Sequence, residues 1–69
     1  MPRHARLTPR EKEVLALLVS GKTNKEIAET LDIGVRTAQF HVENIKWKFL
    51  VGSRVRVAVL YIKGEVLVD

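Results

Sequence analysis

The sequence predicts an all-α fold, a four-helix bundle built around a central helix-turn-helix. Three observations predict it. The capping pattern Thr-x-x-Glu occurs twice, at Thr8–Glu11 and Thr23–Glu26; apolar residues recur at helical spacing in four successive segments; and glycines stand where the first and last of those segments stop. A chain of 69 residues, 46% hydrophobic and 29% charged with four Gly and two Pro, makes a single domain over 1–69 with a small core.

The first helix is expected at about 9–20. Thr8 is its N-cap, Pro9 takes the first helical position, and Glu11 reaches back to complete a capping box. Val14, Leu15, Leu17 and Leu18 form its apolar face, and Gly21 is the left-handed residue that ends it. Thr23 caps a second helix at 24–31, whose stripe is Ile27, Ala28 and Leu31; it is too short to stand alone, and Ala28 is small where the next helix must approach. Asp32-Ile33-Gly34 is the turn, with Ile33 anchored in the core.

A third helix follows at about 35–50, buried through Ala38, Val42, Ile45 and Phe49 at intervals of 4, 3 and 4. Its opposite side presents Arg36, Gln39, Phe40, Glu43 and Trp47. Two outward aromatics need cover. Phe40 either faces out or folds back on the edge of the core, and Trp47 packs on the first helix or a partner sooner than on nucleic acid.

Residues 54–62, RVRVAVLYI, alternate like a strand and also fit a helix through Val55, Ala58, Val59 and Ile62. A lone strand has nothing to pair with, so a fourth helix is expected at about 54–63, with Ser53 as N-cap and Gly64 as stop. Val57, Leu60 and Tyr61 then form a surplus apolar face. It is suited to dimerisation, unless both faces are covered by the first and third helices and the tail.

Charge is segregated along the chain. The net +4 resolves into +3 over residues 1–12 and +4 over 35–56, against −2 over 13–34 and −1 over 57–69. A basic excess on the third helix and the chain start fits a polyanion. With the third helix in the major groove of DNA, Gln39 pairs with adenine, Glu43 accepts from a cytosine amino group, and Phe40 packs on a thymine methyl. Arg36, Thr37, Lys46 and Arg54 hold phosphates, with Thr23, Asn24 and Lys25 at the start of the second helix.

Other chemistries find little support. There are no cysteines, and His4 and His41 are the only histidines, so no metal site, cofactor site or nucleophile-base pair is expected; His41 reads as a half-buried packing residue. Ser20-Gly21-Lys22-Thr23 ends like a phosphate-binding loop, but the first Gly of that motif would fall at Ala16, inside a helix with no strand before it. No apolar run approaches the roughly 18 residues of a membrane span. A cytoplasmic, nucleoid-associated protein that is not an enzyme is the expectation.

From Leu7 to about Ile62 the chain resembles the LuxR/FixJ-type (GerE-like) helix-turn-helix transcription regulators. The resemblance runs through Leu7-Thr8-Pro9-Arg10-Glu11-Lys12-Glu13-Val14-Leu15, Gly21, Asn24-Lys25-Glu26-Ile27-Ala28, Leu31, Ile33, Thr37, His41-Val42, Ile45, Lys48, Val51, Arg54 and Ala58. It implies a third helix that reads double-stranded DNA and a fourth that forms a homodimer on two half-sites. It further implies base contacts at Gln39, Phe40 and Glu43, and phosphate contacts near Thr23, Asn24 and Thr37. Four positions depart from the pattern. Glu43 and Trp47 stand where basic or polar residues are common, Gly34 replaces a Ser-like cap, and Leu50 replaces a frequent Gly. The competing expectation is an interaction module of the same shape that docks on the transcription machinery, such as RNA polymerase, through Phe40 and Trp47.

Overall fold

The computed structural model describes residues 2–69; Met1, counted in the single-domain reading, lies outside the described residues. Its elements in order are β1 (Arg3–Ala5), α1 (Pro9–Val19), α2 (Asn24–Leu31), α3 (Val35–Phe49), α4 (Arg54–Ile62) and β2 (Val66–Val68). The four helices fall within one residue of their expected bounds because their ends are written in local chemistry. Thr8 and Thr23 each accept a hydrogen bond from the amide three residues on, at 3.1 Å, while Glu11 and Glu26 reach back to the cap amides at 2.8 Å. Gly21 (φ 86°) closes α1 with paired bonds, from its own amide to the Leu18 carbonyl and from Lys22 to Leu17; Gly64 (φ 72°) closes α4 in the same way.

The other two helices end without a glycine. Asp32 (φ 54°) and Leu50 (φ 59°) take the left-handed conformation themselves, and Gly34 is an extended N-cap with no side chain to offer α3. Asp tolerates that region through local hydrogen bonding; Leu gains nothing there and costs about 1 kcal/mol or more.

The helical expectation omitted the sheet. β1 and β2 pair in parallel, with Arg3 opposite Val66 and Ala5 opposite Val68, so the two ends of the chain are zipped together over the core. Ala5 and Val66 point inward from this pair. They join one buried cluster with Leu7, the apolar stripes of α1 and α2, the inner face of α3, and Val57 and Leu60 of α4; Ala38 and Ala28 are both buried where α2 and α3 meet, and their small side chains permit that approach. Phe49, Ile27, Ile45, Val14 and Val57 have the largest of the fully enclosed side chains.

On α4 the faces are exchanged relative to expectation. Val57 and Leu60 are buried, whereas Val55 is 67% and Ile62 70% exposed. Both stripes have helical spacing, so periodicity alone did not choose between them. Arg54, one turn before Val57 on the same side, is bonded to Asn24 and to the Lys22 carbonyl, which turns that side inward. Among the described residues, no helix is long and apolar enough to cross a membrane.

Candidate nucleic-acid interface

α3 is held on three sides by α1, α2 and α4 and presents the fourth to solvent. Arg36, Thr37, Gln39, Phe40 and Glu43 are all exposed on it, Phe40 at 61%. Phe40 therefore faces outward and does not fold back; its ring lies 6.1 Å from that of His41, which is half-buried. Trp47 is 78% exposed and does not pack on α1. From Val35 to Glu43 the helix rises about 12 Å, close to the width of a B-DNA major groove.

Glu43 is not a bare negative charge. Lys46 Nζ lies 2.9 Å from its carboxylate, one turn on, which offsets the repulsion an acid exerts on phosphates and engages a lysine expected to hold one. At the far end of α3, Lys48 Nζ meets Glu11 at 2.7 Å, and Arg3 donates to the Phe49 carbonyl at 2.7 Å. Two cations thus sit at the negative end of the helix and fix it against α1 and β1.

Burial by itself raises the Glu11 carboxyl. The Lys48 ammonium and the Thr8 amide and hydroxyl outweigh that and hold it below the usual glutamate range.

The start of α2 brings together Thr23, Asn24 and Lys25, though part of its hydrogen-bonding capacity is already used. The Thr23 amide donates to Glu26, and the Glu26 amide donates to the Thr23 hydroxyl. The Thr23 amide, seconded by the hydroxyl, also keeps the Glu26 carboxyl below its ordinary range. Arg54, expected to hold a phosphate, directs its guanidinium into the domain. One terminal nitrogen donates to Asn24 Oδ1 at 2.8 Å and the other to the Lys22 carbonyl at 2.6 Å.

The dimerisation residues expected on α4 divide. Val57 and Leu60 belong to the core, and Tyr61 remains on the surface at 42% exposure. The open apolar strip is instead a shallow groove lined by Leu18, Val19, Val55, Val59 and Ile62. The Glu11–Lys48 and Arg54–Asn24 links were absent from the expectations, because each joins residues 30 or more positions apart. Among the described residues, no cluster of three His, Cys, Asp or Glu side chains is placed to hold a metal ion.

Four helices, the middle pair forming a tight helix-turn-helix with an exposed outer face, define a DNA-binding regulator domain. Residues 5–61 match the family described as bacterial regulatory proteins, luxR family, and the chain belongs to that family. It is 48% identical over 56 residues to the transcriptional regulatory protein LiaR of Bacillus subtilis (strain 168), covering 81% of this chain and 26% of that protein. Over 53 residues it is 45% identical to the nitrate/nitrite response regulator protein NarL of Escherichia coli (strain K12), covering 77% of this chain and 24% of that one. A solved structure of the transcription factor GerE superposes with a TM-score of 0.73 at 34% identity, covering 87% of this chain and 91% of that chain. The family is one of transcription regulators, not of enzymes. The chain spans about a quarter of the length of the curated relatives it matches.

Proposed function

We propose that the domain binds duplex DNA as a homodimer, with the outer face of α3 in the major groove, as the output unit of a longer transcription regulator. Gln39, Phe40 and Glu43 read base edges. Arg36, Thr37, Lys46 and the Thr23–Lys25 segment engage the backbone and set register. The observation that carries this reading is the unobstructed outer face of α3, where Arg36, Gln39, Phe40 and Glu43 all lie open to solvent.

Dimerisation uses the outward side of α4. Tyr61, Val55 and Ile62 are its exposed large side chains, and the groove beside α1 extends it. A two-fold pair of this kind sets two half-sites about one helical turn apart. Trp47 and Leu50, at 78% and 73% exposure, lie past the base-reading positions and are the surface left for a protein partner such as RNA polymerase. In the cell such a domain resides on the nucleoid.

Titration with random-sequence duplex DNA at two salt concentrations tests the reading. Binding that is strong at low salt and falls steeply at high salt supports it; no binding at low salt refutes it and favours the protein-docking alternative.

A further inference from the structure

Resting on the DNA-binding reading above, we propose that Arg54 is a positioning residue. Its guanidinium fork holds the Asn24 amide with the amino group turned outward as a phosphate donor, and the same fork ties α4 to the first helix of the helix-turn-helix.

Guanidinium nitrogens are donors only, so the Asn24 atom 2.8 Å from Arg54 must be the carbonyl oxygen. In the planar amide the N–H anti to that oxygen points away from it, and the amino group is not among buried polar groups left without a partner. No other side-chain hydrogen bond among the described residues engages Asn24, which is half-buried between Thr23 and the exposed Lys25. An amide without the fork is free to turn over and offer its oxygen to a phosphate, which is repulsive; Arg54 removes that orientation.

The second arm of the fork, 2.6 Å to the Lys22 carbonyl, grips the backbone just before the α2 cap. The amide of the same Lys22 is bonded to the Leu17 carbonyl, so the connection is held by α1 on one side and α4 on the other. α2 and α4 make almost no other contact. Arg54 opens α4 next to the exposed Val55, so the link runs from the proposed dimer surface to the proposed phosphate-binding segment. A lysine there keeps the charge and loses the two-pronged geometry.

The test uses Arg54→Lys, Asn24→Ala, the double variant and Asn24→Asp in the 69-residue chain, with random duplex DNA as the probe. Arg54→Lys and Asn24→Ala are each expected to weaken binding about five- to tenfold, the loss of one charge-assisted hydrogen bond, and the double variant no further than either alone. The slope of log affinity against log salt should stay unchanged. Asn24→Asp keeps the fork through an ion pair, so it should melt no lower than the parent while losing at least about tenfold in affinity, its donor having been replaced by an anion.

Without DNA, the Asn24 side-chain amide signals in the nuclear magnetic resonance spectrum should move in Arg54→Lys. Unmoved signals overturn the fork. Parent-like binding by Arg54→Lys, or losses that multiply in the double variant, overturn the positioning role. If the parent chain itself ignores duplex DNA, the proposed function fails, and the DNA-free amide signals still decide the fork.

Discussion

Glu11, in the first turn of α1, and Lys48, in the last turn of α3, meet at 2.7 Å, and the same Glu11 oxygen accepts the Thr8 amide at 2.8 Å. One carboxylate oxygen thus closes the start of one helix and the end of another. Its side chain is 5% exposed and that of Lys48 34%, so the pair is sheltered yet open enough for the ammonium to stay hydrated on one side. The contact adds to the buried apolar stripe of α3 in fixing that helix against α1.

Replacing Glu11 separates the two roles. Glu11→Gln keeps an acceptor for the cap amide and loses the ion pair, at a cost of about 1 kcal/mol; Glu11→Ala loses both, about 2 kcal/mol or more. For a domain this size, thermal melting should show a drop of roughly 4–8 °C per kcal/mol. Equal melting temperatures for the two variants would mean that the capping arm contributes nothing.

The pH dependence has a definite sign. The folded-state pKa of Glu11 lies below that of the unfolded chain, so its stabilisation is complete above the unfolded-state value and is lost as pH falls through the folded-state value. Stability should therefore decline on acidification below the ordinary glutamate range, and Glu11→Gln should decline less. Urea unfolding at successive acidic pH values checks this.

Leu50 sits in the left-handed region with its side chain 73% exposed, so the strain is not offset by burial. Leu50→Gly should stabilise the domain by about 0.5–1 kcal/mol, relief of strain exceeding the added freedom of the unfolded chain. A lower melting temperature would show that the Leu50 side chain packs on something essential.

The exchange of faces on α4 gives paired expectations. Val57→Ala should cost about 2 kcal/mol of stability, since Val57 is fully buried, while Val55→Ala should cost almost nothing. Ile62→Asp, on the open side, should leave folding intact and convert any dimer seen by sedimentation to monomer; an unchanged dimer places the interface elsewhere.

These contrasts show what was legible in the chain. Helix ends were, because a cap, its partner three residues on and a terminal glycine are written within a few positions of one another, as at Thr8, Glu11 and Gly21. The outward set on α3 was legible too, since Ala38, Val42, Ile45 and Phe49 leave only one side for burial. The inner face of α4 was not: two apolar stripes competed, and the choice came from neighbours, with Arg54 pinned to Asn24. The strands escaped notice because three residues such as Arg3-His4-Ala5 carry no period, and their partner lies at the other end of the chain. Arg54 looked like a phosphate ligand because charge is visible in a sequence and an internal acceptor is not.

Base reading at Gln39 is the most specific functional expectation. Gln39→Ala should cost about 1–3 kcal/mol on the preferred site and relax the preference at one base position, measured by competition between single-base variants. Equal loss on every sequence would assign Gln39 to the backbone.

The most direct test of the DNA-reading geometry is a nuclear magnetic resonance titration of the domain with a duplex selected from a random pool. The expected result is that the largest shifts and loss of solvent exchange fall on Arg36, Gln39, Phe40 and Glu43, with a selected site that shows two-fold symmetry. An α3 surface left unchanged by the duplex, with the shifts confined to other elements, would contradict it.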